Sequence, residues 1–171
     1  MDRNRIIFIV EGSIRYHRAR AEHFLFRARW LTIVSAFLGG GVFIAAISSF
    51  PAVTSAAGLL VAAVSTYQLV AKPDEAARQH EEWCRDWSRL RGEVEAQPLP
   101  SKAILNKWIK RVTELNGEVL EDMKVVKAQV YNETMGALGR KGTPYRITRF
   151  QRWTKHVLAH THAFDEQNLA P

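Results

Sequence analysis

Charged side chains punctuate most of this chain but vanish from one block. The 42 residues between Arg29 and Lys72 contain no Asp, Glu, Lys or Arg. Even a packed helix of a soluble domain keeps one wet face, so a block of this length points to lipid as the surrounding medium. A helix crossing the hydrocarbon core needs about 20 residues at about 1.5 Å rise each, so the block holds two such spans. One continuous helix would be about 63 Å long, too long for a bilayer. The turn formers Ser48-Ser49 stand before Phe50-Pro51, with Pro suited to the first turn of a following helix. The pattern predicts spans at 30–49 and 51–71, joined by a very tight hairpin.

The remainder of the chain alternates at helical spacing. Ala76, His80, Trp83, Trp87, Leu90 and Val94 recur at fours and threes, which predicts an amphipathic helix with a coiled-coil-like seam. Gln97-Pro98-Leu99-Pro100 ends it, and Ser101 is placed to cap the next helix. That helix is expected to run through Leu105, Trp108, Val112, Leu115, Val119, Met123, Val126 and Val130, weakened at Gly117. The two are expected to fold back antiparallel. The stretch from Gly136 to Pro144 reads as a loop, and a last helix carries Phe150, Trp153, Val157, His160 and Phe164 on one face. Residues 14–29 look helical and run into the first span. Residues 6–10, Ile-Ile-Phe-Ile-Val, look like a strand or an interfacial patch, with no role assigned. The predicted fold class is an all-α membrane protein: a basic N-terminal helical segment (1–29), a two-helix transmembrane hairpin (30–71) and a cytoplasmic helical bundle (72–171).

Charge sets the orientation. The chain has 171 residues and a formal net charge of +7, from 24 Lys+Arg against 17 Asp+Glu. Seven Arg and three acids precede the first span, 17 Lys+Arg follow the second, and the hairpin tip is uncharged. Basic flanks stay on the cytoplasmic side, so both termini are expected there. A secretory signal peptide fits poorly, because the apolar run starts only after residue 29. Cys84 is the sole cysteine, which excludes an intramolecular disulfide and every multi-Cys zinc pattern.

Candidate sites fall in two places. The spans are rich in small residues, among them Ser35, Ala36, Gly39, Gly40, Gly41 and Ala45 in the first and Ser55, Gly58 and Ala62 in the second. Ala36/Gly40, Gly41/Ala45 and Gly58/Ala62 are four apart, a spacing that permits close helix approach, within the hairpin or between copies of the chain. No ionisable residue lies inside the spans, which argues against a proton relay or ion-coupled transport. The second place is the acid-free segment between Glu133 and Asp165, with Arg140, Lys141, Arg146, Arg149, Arg152 and Lys155. It reads either as a basic surface beside anionic lipid or as a site for a phosphate-bearing ligand such as a signalling nucleotide. Nucleic acid is disfavoured, because the aromatics are absorbed into helix seams and form no stacking platform. His156 and His160 are four apart and His162 follows, but no carboxylate or Cys completes a metal set, so no metal and no cofactor is expected. Glu81-Glu82 and Glu121-Asp122 point apart on a helix. No nucleophile elbow, Walker loop, HExxH or dinucleotide fingerprint is present, and catalysis is not expected.

A basic helix, a tight two-span hairpin and long cytoplasmic helices opening at KPDEAARQHEEW together resemble the SLATT family of small bacterial two-transmembrane effectors associated with nucleotide-signalling conflict systems. The resemblance implies an antiphage or abortive-infection effector of the inner membrane, assembling or opening as a homo-oligomeric pore when a signal such as a cyclic nucleotide, or a sensor protein, acts on the helical tail. Two other classes share the layout: a holin-like lysis protein, and a non-conducting membrane scaffold that recruits a soluble partner. The long Trp-bearing tail is larger than a lysis protein needs.

Overall fold

The computed structural model describes residues 1–40, 49–117, 123–142 and 144–156. Within them the fold is all-helical, with no strand. The helices are α1 (Arg3–Gly39), α2 (Pro51–Ala71), α3 (Pro73–Glu95), α4 (Lys102–Gly117), α5 (Lys124–Ala137) and α6 (Arg149–Thr154). They form two compact units, one of residues 1–20 with 80–171 and one of residues 21–79.

The first unit is held by a core to which three helices contribute in equal measure. Ile6, Val10 and Ile14 of α1, Trp87, Leu90 and Val94 of α3, and Trp108, Val112 and Leu115 of α4 are all buried together. Their spacings of three and four place each trio on one helix face, and burying a side chain of this size stabilises by about 1.5–3 kcal/mol. A smaller cluster joins Tyr16 of α1 to Val126 and Val130 of α5. The apolar run at 6–10 is therefore core helix, and neither a strand nor an interfacial patch. Ile6 and Val10 are fully enclosed, Ile7 and Ile9 are packed at the margin, and Phe8 meets the Tyr131 ring edge-on at 5.5 Å. With neighbours on several sides this turn of α1 is apolar nearly all round, a pattern that looks like a strand when read by periodicity alone.

The helix expected across Leu105–Val130 is two helices. α4 ends at Gly117, and Met123 enters α5 with extended backbone, φ −85° and ψ 91°. Val119 lies outside the described residues. α5 continues to Ala137, two residues into the expected loop, and stops in a tight cap. Gly139 adopts φ +60°, its N–H donates to the Gly136 carbonyl, and the Arg140 N–H donates to the Met135 carbonyl. α6 is capped by Thr148, whose hydroxyl accepts from the Gln151 N–H while the Gln151 side chain accepts from the Thr148 N–H, a reciprocal capping box. Phe150 and Trp153 are exposed, and the expected continuation through Val157, His160 and Phe164 lies outside the described residues.

The second unit contains the uncharged block. α2 is 21 residues long, has no buried residue, and is long and apolar enough to cross a membrane. It stops at Lys72, which takes left-handed φ 41° and ψ 56°, and Pro73 then opens α3. The proline disfavours the right-handed helical region for the residue before it, so Lys-Pro separates the apolar helix from the charged one. α2 carries a half-buried stripe, Thr54, Ala57, Val61, Val64 and Gln68, and α1 carries another, Leu31, Val34, Ser35 and Leu38. Toward the charged end of the block, the Arg27 guanidinium lies 5.4 Å over the Tyr67 ring and donates to its hydroxyl. Residues 30–39 of the predicted first span belong to α1, while 41–48 lie outside the described residues.

Candidate functional site

Two features of the first unit concentrate polar chemistry. The first is a buried node where α1 supplies Tyr16, His17 and Arg20 and α3 supplies His80 and Trp83. His17 and His80 are 2 % and 7 % exposed, and their Nδ1 atoms lie 2.9 Å apart. One ring nitrogen must donate and the other accept, so the accepting imidazole is neutral. Burial and then the charge of the other histidine and of Lys127 hold His17 down to about 3; burial and then Arg20 hold His80 down to about 4. The Trp83 ring lies 5.2 Å from His17 and 5.1 Å from His80. Arg20 is 1 % exposed and donates to the His156 carbonyl at 3.4 Å. The pair is held far from the protonation range of a general acid or base at neutral pH. A guanidinium nearby also disfavours a cation, and no group of three or more His, Cys, Asp or Glu among the described residues is placed to hold a metal.

The second feature is a cavity of about 500 Å³ between α1 and α5, within the range of small-molecule sites. α1 lines it from Phe8 to His17, and α5 from Lys124 to Thr134, with Tyr145 and Asn116 completing the wall. Tyr145 is fixed by Asn132, whose side-chain amide donates to the Tyr145 carbonyl and accepts from its N–H, each at 2.8 Å. The Tyr131 and Tyr145 rings meet edge-on at 5.1 Å. The Tyr16 hydroxyl accepts from the Met123 N–H at 3.4 Å, bracing the start of α5.

The sequence did not single out this cavity, because its residues come from segments more than 100 positions apart. A signal was present in Gly12, an apparent flaw in a helix core position that opens space when α5 packs beside it.

The predicted basic site is dispersed. Arg140 donates to the Asn4 carbonyl and its guanidinium stacks 5.0 Å over Phe8, so it ties the segment after α5 to α1. Lys155 donates to Gln129 at 2.8 Å. The backbone amides of Gly139 and Arg140 are committed to the α5 cap. Lys141, Arg146, Arg149 and Arg152 are exposed, with Arg152 beside Glu133 in a shallow depression.

The small-residue sites divide likewise. The Ser35 hydroxyl is buried, and Gly40 donates to the Phe37 carbonyl at 3.3 Å. A Cβ at Gly40 would press on the Ala36 carbonyl at 3.1 Å. Ala36, Gly39, Ser55, Gly58 and Ala62 are exposed, and a side chain at Gly39 or Gly58 would meet nothing within 4 Å. Gly41 and Ala45 lie outside the described residues. Comparison with protein-family models, curated proteins and solved structures finds no match to the chain.

Proposed function

We propose that this protein is a two-span membrane effector of the SLATT type, which assembles through its apolar unit and permeabilises the inner membrane when a signal reaches its helical tail. The observation that carries the reading is α2: 21 uncharged residues with none buried, and with Leu59, Leu69 and Val70 each more than 70 % exposed. Phe26, Trp30, Ile33 and Phe37 on α1 add a second exposed apolar stripe. So much contiguous apolar surface is stable in lipid or against other copies of the chain, and costly in water. The open face at Ser55, Gly58 and Ala62 has the small side chains that close helix association in lipid favours. Residues 30–49 form the other span in this reading, which leaves both termini on the basic, cytoplasmic side.

Membrane potential in bacteria expressing the chain, with and without its genomic neighbours or an infecting phage, tests the proposal. Depolarisation conditional on the neighbours or the phage is the expected result. A potential that stays intact under every condition, with the protein in the membrane fraction, would replace the effector by a non-conducting scaffold.

A further inference from the structure

The cavity between α1 and α5 has features that packing alone does not account for. Gly12 lies in the interior of α1, where glycine costs about 1 kcal/mol relative to alanine. Its backbone is ordinary right-handed helix, so conformation does not require it. A Cβ there would meet Thr134 and Val130 at 3.9 Å, an ordinary contact, so close approach does not require it either. What glycine gives at this position is room.

At one end of that room stands Thr134. Its residue is 0 % exposed, and its hydroxyl has no hydrogen-bond partner among the described residues. Burying an unsatisfied hydroxyl costs about 1–3 kcal/mol, which a ligand atom in the cavity would relieve. Lys124 and Lys127 line the other end, one turn apart at the N-terminus of α5, where the helix dipole also favours negative charge. Met123, the cap of that terminus, supplies no side-chain acceptor. Among the described residues no Asp or Glu lines the cavity, and Phe8, Tyr16, Tyr131 and Tyr145 provide its walls. From Phe8 to His17 the cavity follows α1 for about 14 Å.

We propose that this cavity is a binding site for a small aromatic anion: a flat ring system between the tyrosines and Phe8, its phosphate or carboxylate at Lys124 and Lys127, and a polar atom at the Thr134 hydroxyl. An alkyl chain would leave that hydroxyl unsatisfied, and a free inorganic anion would leave the aromatic walls without a partner. The site stands apart from the membrane proposal and holds whether or not the apolar unit conducts.

Isothermal titration of the full chain in nanodiscs, with empty nanodiscs subtracted, tests it using 1-naphthyl phosphate, 1-naphthoate, 1-naphthol and inorganic phosphate as probes. Saturable 1:1 binding of a naphthyl anion is expected, at least tenfold tighter than naphthol or phosphate alone; the phosphate and carboxylate arms identify the preferred head group. Gly12→Leu should weaken binding at least tenfold by filling the cavity, and the double variant Lys124→Gln, Lys127→Gln should do so by removing the charge. Thr134→Val, nearly isosteric, should weaken it severalfold and keeps the test decisive if the leucine variant melts early. Equal affinity for naphthol, equal affinity for inorganic phosphate, absence of saturable binding, or anion binding unaffected by Thr134→Val and the lysine pair would each overturn the assignment.

Discussion

His17 and His80, 63 positions apart in sequence, face each other through their Nδ1 atoms at 2.9 Å and join the N-terminal segment of α1 to the first turns of α3 within one unit. Because the folded state keeps both rings neutral, the contact is linked to pH. Folding lowers His17 to about 3 and His80 to about 4 from an ordinary 6.5, so between about pH 4 and 6.5 the unfolded chain binds more protons than the folded one. The contribution is fully present above pH 6.5 and is lost as pH falls toward the folded values. A loss on the order of 3 kcal/mol between pH 6.5 and 5 is expected from the two groups together. Thermal unfolding followed by tryptophan near-UV dichroism should show the melting temperature dropping over that interval. The double variant His17→Phe, His80→Phe should flatten the drop; an unchanged pH profile would refute the linkage.

Trp87 is 0 % exposed in the three-helix core, yet its indole N–H has no partner among the described residues. The ring contributes packing while the buried donor costs free energy. Trp87→Ala is expected to cost about 3–5 kcal/mol by opening a cavity. Trp87→Phe is expected to cost about 1 kcal/mol or less, because the lost contacts are offset by removal of the unsatisfied N–H. Denaturant titration of the two variants gives the comparison, and a phenylalanine variant as unstable as the alanine one would contradict it.

Much of this architecture was legible from periodicity. Of the seam Ala76, His80, Trp83, Trp87, Leu90 and Val94, the last three and His80 are buried as their spacing implied while Ala76 and Trp83 are half-buried, and Trp108, Val112 and Leu115 are buried on the next helix. Lys72-Pro73 marked the end of the apolar helix through local backbone chemistry alone. What the pattern hid was tertiary. Ile6 and Val10 looked strand-like because a helix segment enclosed on several sides loses its polar face. The extended backbone at Met123 left the spacing of apolar residues unbroken, so periodicity carried the helix across it. Arg140 looked like a ligand-binding base because its engagement with Asn4 and Phe8 spans more than 130 positions. The cavity was invisible for the same reason: Gly12 and Thr134 have no relation in sequence.

Glu11 connects two helices of the core unit through charge. Its carboxylate pairs with Arg15 on the same helix at 2.8 Å and with Arg91 on α3 at 2.9 Å, and Arg91 in turn pairs with Glu95 at 2.8 Å. The Glu95 hydrogen bond, ahead of the Glu11 charge, raises the Arg91 pKa and keeps the guanidinium charged. Glu11 itself is buried, but both arginines reach solvent, so screening limits the energy of the network. Glu11→Gln should cost about 1 kcal/mol at low ionic strength, and the difference from the parent should shrink in 1 M salt. A cost independent of salt would mean that Glu11 acts through packing and hydrogen bonding alone.

Leu59 and Leu69 offer a test of the membrane reading that does not depend on any activity. Both are on α2 and almost equally exposed, at 73 % and 78 %. If α2 were bathed in water, replacing either with arginine would remove exposed apolar surface, and the two variants would behave alike. In lipid their depths differ. Leu59 lies near the middle of the 21-residue helix, where an arginine costs about 2.5–3.5 kcal/mol on insertion scales. Leu69 lies within a turn of Lys72, where the long side chain can snorkel to the interface at little cost. Leu59→Arg should therefore shift a large fraction of the chain out of the carbonate-resistant membrane pellet, while Leu69→Arg stays with the membrane. Equal partitioning of the two variants would show that α2 does not cross the bilayer.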